Sequence, residues 1–200
     1  RESAATPAQD AACTEANTQI RKALREMRQL QDVILIGRWS YYASGKGSGS
    51  DAHNSIRLKS DVYGNMTQDV LLGTALAATV ADIGDLDRTV YILRQPPEIQ
   101  NYSAPKVARE LVHGRLSEQL ARRIGQITVT DAKTRERGAA AALARSGATI
   151  LDSWRWFCDP FLCDAVQNGV GQYFDNNHVT NTAAQRMRAV FYPVMARSTQ

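Results

Sequence analysis

Apolar residues recur along this chain in two rhythms, one proper to helices and one to buried strands. From Thr14 to Leu30, the side chains Ile20, Ala23, Leu24, Met27 and Leu30 fall on one face at helical spacing, with Arg and Lys opposite. Gln31-Asp32 closes that segment, and Val33-Ile34-Leu35-Ile36 follows as a short, wholly apolar run. Such a run between helices predicts a strand buried on both faces of a parallel sheet. Thr67 caps a helix predicted over Val70 to Ile83 and closed by Gly84. Thr89-Val90-Tyr91-Ile92-Leu93-Arg94 is a second strand, stopped by Pro96-Pro97. Pro105 opens a helix that turns Val107, Leu111 and Leu116 inward, with Gly114 weakening it midway. A further helix spans Asp131 to Arg145 and ends at Gly147, and Ala148-Thr149-Ile150-Leu151-Asp152 is the third strand. The last helix begins near Thr182, whose pairing with Gln185 forms a capping box, and runs to about Val190.

The alternation of helices and strands, with no hairpin turn between any two strands, predicts a doubly wound α/β fold. Its parallel sheet would contain 33–36, 90–94 and 148–151, with helices on both faces. Two hundred residues make one domain of this kind, here 13–195, between a flexible lead of 1–12 and a tail of 196–200.

Composition removes several function classes. Apolar residues make up 44% and charged residues 22%, the balance of a chain that folds around a core. No run of about 18 apolar residues occurs, so no helix here is expected to span a membrane. The longest stretch, Val70 to Val80, is broken by Gly73, Thr74 and Thr79. The net charge of +4 comes from scattered side chains, nineteen of the 24 bases being Arg, and no block of like charge marks a nucleic-acid surface. Ser44-Gly45-Lys46-Gly47-Ser48-Gly49-Ser50 reads as a flexible loop and lacks the spacing of a phosphate loop. Arg1 is followed by a Ser/Ala/Pro/Gln stretch without Met or signal, which reads like a cut inside a longer polypeptide.

Cysteines stand at 13, 158 and 163. No second Cys/His pair lies at ligand spacing from Cys158 and Cys163, so a short disulfide-closed loop is favoured over zinc, and with it an oxidising compartment. Cys13 is then odd, its partner expected upstream of Arg1.

Of three histidines, His53 lies in a polar loop and His113 in a helix beside a glycine, and both read as surface residues. His178 differs. In Tyr173-Phe174-Asp175-Asn176-Asn177-His178-Val179-Thr180 an Asp and a His three positions apart can face each other. The carboxylate would hold the Nδ1 proton and leave Nε2 free as a general base. A purely structural pair has the same spacing, so the motif alone leaves both readings open.

The ordered blocks narrow the choice. Val33-Ile34-Leu35-Ile36-Gly37-Arg38-Trp39-Ser40, Ile92-Leu93-Arg94-Gln95-Pro96-Pro97-Glu98, the Cys158 and Cys163 pair and the Asp175–His178 segment resemble, in order, SGNH/GDSL-type hydrolases. Most of all they resemble the periplasmic SGNH domain fused behind the membrane part of bacterial acyltransferase family 3 proteins, over about residues 13 to 192. The resemblance implies a three-layer, flavodoxin-like fold and serine-centred acyl transfer, with catalytic roles for Asp175 and His178. The family's serine belongs to a Gly-Asp-Ser block after its first strand, and this chain holds no Gly-Asp-Ser. The first strand, the nucleophile and the partner of Cys13 are therefore expected before Arg1, and the chain alone is expected to be inactive. Gly37-Arg38-Trp39 stands where the oxyanion block Gly-x-Asn-Asp would, so Arg38 and Trp39 are candidates to line the acyl pocket or supply a donor. Core packing by Trp39 and an ion pair at Arg38 are the alternative.

For the intact protein the resemblance implies transfer of acyl, in the first place acetyl, groups to hydroxyls of a cell-surface polysaccharide or lipopolysaccharide. The donor would be relayed by a membrane domain of the same polypeptide, on the periplasmic side of the inner membrane. No metal or nucleotide cofactor is implied. A secreted carbohydrate esterase and a non-catalytic glycan-binding module are the two rival readings.

Overall fold

In the computed structural model, which describes residues 7–196, the three expected strands are present and separated by helices. The order begins α1 (Pro7–Glu26), β1 (Asp32–Leu35), α2 (Trp39–Ser44), α3 (Gln68–Gly84), β2 (Thr89–Leu93), α4 (Ala104–Val112) and α5 (Glu118–Ile124). It continues with β3 (Gln126–Thr128), α6 (Val129–Arg145), β4 (Thr149–Leu151), β5 (Leu162–Asp164), β6 (Val166–Gln167), β7 (Val170–Gly171), α7 (Asn181–Arg186) and α8 (Tyr192–Met195).

The three apolar runs pair as one parallel sheet in the order β1-β2-β4. Val33 lies opposite Val90 and Leu35 opposite Ile92, while Ile92 lies opposite Ile150 and Leu93 opposite Leu151. Alternation along β2 sends its side chains to two cores. Ile92 enters a layer with Trp39 and Ala43 of α2, Leu72 and Leu76 of α3, and Ala139, Ala142 and Leu143 of α6. Small residues let these helices approach closely: a Cβ at Gly73 would sit 3.1 Å from the Cα of Ala142. Tyr91 and Leu93 face the opposite layer, with Ile99, Tyr102, Phe157, Tyr173, Met187 and Val190. The parallel sheet is thus covered on both faces.

Local chemistry sets the ends. The Thr128 hydroxyl accepts the Asp131 N–H at 3.0 Å and starts α6 two residues before the expected Asp131. Gly147, at φ 77°, stops that helix in the left-handed turn the pattern anticipates. Several boundaries differ from expectation. The first helix ends at Glu26 rather than Leu30 and reaches back to Pro7, through residues assigned to a flexible lead; residues 1–6 and 197–200 lie outside the described ones. Its apolar stripe is not buried among the described residues, Ile20 being 57% exposed. Helix α4 ends at Val112, because Gly114 takes φ 65° and turns the chain before Leu116. Helix α7 is capped by Thr180, whose hydroxyl accepts the Ala183 N–H at 3.2 Å, rather than by Thr182, and it ends at Arg186 rather than near Val190.

Two short antiparallel pairs lie outside the expected elements. Strand β3 pairs with β5, Ile127 opposite Cys163, and β6 forms a hairpin with β7 through Asn168 and Gly169, both at positive φ. Strand β1 is bonded on one side only among the described residues, and Val33, Ile34 and Leu35 are half-buried rather than enclosed on both faces.

Ile92 sits at the centre of the sheet with no exposure, whereas Val62 is 83% exposed. Denaturant unfolding of Ile92→Ala should show a loss of about 2–5 kcal/mol, and Val62→Ala a change within about 0.5 kcal/mol. Equal losses at the two positions would contradict the core as described.

Candidate active site

The Asp175–His178 segment is a tight loop held at its base by the Tyr173–Val179 bridge. Phe174 N–H donates to the His178 carbonyl at 2.8 Å, so residues 174 and 178 face each other across the loop. Tyr173 points into the core with no exposure, while Phe174 is 58% exposed. The Asp175 carboxylate works inside this turn. Its Oδ1 accepts the Asn177 N–H at 3.0 Å and the His178 N–H at 2.8 Å. Its Oδ2 lies 2.8 Å from His178 Nδ1. Burial alone would push the Asp175 carboxyl up, but the two N–H groups and the imidazole hold it below the usual carboxylate range. An ionised carboxylate only accepts, so Nδ1 carries the proton and Nε2 of the neutral ring is a lone-pair acceptor. The His178 side chain is 73% exposed, and among the described residues Nε2 has no partner. The ring is thus anchored at Nδ1 and open to solvent at Nε2.

The loop is fixed from beneath by a buried carboxylate that the sequence reading did not single out. Glu98 follows Pro96-Pro97 after β2, and its side chain is 1% exposed. Oε1 takes Arg38 Nε at 2.6 Å, and Oε2 takes Arg135 Nε at 2.6 Å and the Ser48 hydroxyl at 2.8 Å. Arg38 passes the connection on, its Nη1 lying 2.8 Å from Asp51 Oδ2. That oxygen also accepts from Asn177 Nδ2 at 3.0 Å, and the buried Asn176 amide donates to the Ser48 carbonyl at 2.8 Å. Ile99 N–H then closes the circuit on the Asn176 carbonyl at 2.8 Å.

The Gly/Ser segment is accordingly an ordered loop and not a flexible one. Ser48 is buried, Lys46 bridges Ser55, and Gly49–Asp51 makes a turn of 3₁₀ helix. Gly49, at φ 57°, needs its missing Cβ, because a side chain there would run into the Gln100 carbonyl oxygen. Ser48 spends its hydroxyl on Glu98 and does not reach His178.

Trp39 lies in the core at 8% exposure, its indole N–H donating to the Leu93 carbonyl at 2.8 Å. Arg38 is ion-paired to Glu98 and Asp51, stands 5.3 Å from the Tyr41 ring centroid, and keeps one buried nitrogen, Nη2, without a partner. Arg38 reaches the network that carries the His178 loop, and Trp39 does not touch that loop through any hydrogen bond. Cys158 and Cys163 are joined in a disulfide, and Cys13 is exposed and free among the described residues. His53 and His113 are exposed and far along the chain from the loop, and neither bonds to Asp175 or His178.

Burial alone would raise the Glu98 carboxyl, yet Arg135 and then Arg38 hold it below the usual carboxylate range. A carboxyl lowered in the folded state stabilises fully above its unfolded value, and that stabilisation is lost as pH falls through the folded one. Thermal midpoints followed from neutral pH to about pH 3 should therefore fall more steeply in the native protein than in Glu98→Gln. At neutral pH the variant should itself be weaker by about 3 kcal/mol, since two guanidinium groups lose their carboxylate. Parallel pH curves would contradict this assignment.

Comparison with known proteins agrees with this architecture. No curated protein sequence matches the chain significantly. In fold it is similar to the periplasmic domain of the lipopolysaccharide acetyltransferase of Salmonella ser. Paratyphi A, with a TM-score of 0.53 at 13% identity. The match covers 90% of this chain and 62% of that one, so the chain spans less than two thirds of its relative's length. The family profile described as SGNH domain (fused to AT3 domains) matches residues 2–193. The chain, with its helix-flanked parallel sheet, belongs to that SGNH family.

Proposed function

We propose that these residues form the acid–base half of an acyl-transfer site acting on a cell-surface glycan. The observation that carries the reading is the Nδ1-anchored, outward-facing imidazole of His178 on Asp175. In this reaction a serine Oγ attacks the acyl carbonyl while Nε2 takes its proton, and the leaving group departs with that proton. A sugar hydroxyl then attacks the acyl-serine, gives its proton to Nε2, and the serine oxygen recovers it. Asp175 keeps the imidazole in the correct tautomer and stabilises the imidazolium between the two transfers.

The serine is supplied, on this proposal, by sequence outside the 200 residues. Two observations support it: no serine hydroxyl among the described residues bonds to His178, and β1 is bonded along one edge only. Arg38, standing at the oxyanion block, is a candidate donor at the acyl pocket, which its unspent Nη2 supports. Trp39 backs it from the core. The Cys158–Cys163 disulfide fits an oxidising compartment, and the family's fusion to AT3 domains supports a membrane acyltransferase domain as the source of acyl groups. A periplasmic setting and an acetyl group follow as the proposed particulars. The likeness in fold to the Salmonella lipopolysaccharide acetyltransferase domain supports lipopolysaccharide as the acceptor class.

The test is hydrolysis of a chromogenic acetyl ester by the full-length protein. His178→Ala should abolish turnover, and Asp175→Asn should lower it about 10⁴-fold by favouring the wrong tautomer. His53→Ala and His113→Ala should leave the rate nearly unchanged. Native turnover in His178→Ala would refute the site.

A further inference from the structure

A cavity of about 380 Å³ opens where α5, β3 and the start of α6 meet the turn at 99–101. Ile99, Ile124 and Ile127 give its lining an apolar part, and the exposed Asn101, Arg123, Gln126 and Asp131 belong to its polar part. The polar part keeps hydrogen-bonding capacity free. Asn101 lies in the turn, Arg123 on α5 and Gln126 on β3, and the side chain of none of them has a hydrogen-bond or ion-pair partner among the described residues. Asp131 spends Oδ2 on the Thr128 hydroxyl at 2.7 Å and keeps its other oxygen. Two amides, a guanidinium and a carboxylate are forked groups, each able to span two neighbouring hydroxyls. The isoleucine side chains of the lining suit the C–H face of a ring. Polar groups set around a small apolar patch are what orients a hydroxyl-rich ligand, the hydrogen bonds fixing it beside the apolar surface.

Charge selects among ligands. Arg135 also lines the cavity, but its Nε is committed to Glu98 at 2.6 Å and its other nitrogens to the Ser44 hydroxyl and the Lys46 carbonyl. What remains is Arg123 against Asp131, a balance with no excess of either sign. An anion would meet the Asp131 carboxylate, whereas a neutral polyol uses both groups.

Position links the cavity to the His178 loop. Ile99 N–H holds the Asn176 carbonyl at 2.8 Å, and the next two residues, Gln100 and Asn101, line the cavity. One turn therefore carries the His178 loop on one side and the cavity on the other. We infer that this cavity is a subsite for a neutral, hydroxyl-rich sugar unit of the glycan that receives the acyl group; its role as acceptor subsite rests on the acyl-transfer reading.

Hydrogen exchange of the full-length protein, with and without D-galactose, D-mannose, L-rhamnose or D-glucuronate, tests it. At least one neutral sugar should slow amide exchange at 99–101 and 123–127. Arg123→Ala and Asn101→Ala should each remove that protection and leave acetyl-ester hydrolysis unchanged, both side chains being outside the acid–base machinery. Protection by no neutral sugar, protection by glucuronate alone, or protection that persists in both variants would overturn the proposal. If the native protein shows sugar protection here but no ester hydrolysis, the sugar site stands and the acyl-transfer reading fails.

Discussion

One buried carboxylate, Glu98, organises the end of the molecule where the chemistry would occur. With its side chain 1% exposed, its charge would be costly without compensation, and two guanidinium groups and a hydroxyl compensate it. Those partners come from different places: the end of β1 for Arg38, the Gly/Ser loop for Ser48 and α6 for Arg135. Satisfying Glu98 therefore locks three segments to the turn after β2 at once. Asp51, Asn176 and Asn177 then extend the lock to the His178 loop. A partly satisfied network of this kind is worse than none, so its members hold or fail together.

This arrangement divides labour between rigidity and exposure. The parallel sheet and its two apolar layers supply stability, and β2 contributes to both through Ile92 on one face and Tyr91 and Leu93 on the other. The polar network begins where β2 stops. It keeps Asn176 buried while His178, two residues on, is mostly exposed. A loop pinned through its amides, with an imidazole held at Nδ1 and open at Nε2, can orient a proton acceptor without hiding it.

Much of the fold was legible because its signals are local. Each strand of the parallel sheet is a short apolar run, and Gly147 and Thr67 mark helix ends by backbone preferences that need no distant partner. Of the elements that were missed, β3, β5 and the β6–β7 hairpin have two or three residues per strand and alternate little, and α2, α5 and α8 have four to seven, too few to show a helical period. The first helix shows the opposite failure: its apolar stripe predicts a buried face, and among the described residues Ile20, Ala23 and Met27 stay exposed while Leu24 and Leu30 are only half-buried. In the site, Asp175 and His178 were legible because three positions suffice to bring them together. Glu98 was not, since its partners lie 60, 50 and 37 residues away. Gly47 and Gly49 suggested mobility, whereas they are there because backbone passes too close for a side chain.

The central claim is that the Glu98 network sets the state of the His178 imidazole. Nitrogen NMR of the His178 ring at neutral pH measures it directly, in the native protein and in Glu98→Gln. The account predicts the Nδ1–H tautomer in the native protein and a mixture of tautomers once Glu98 is neutral and the loop is released. An Nε2–H tautomer in the native protein, or identical ring signals in both proteins, would contradict it.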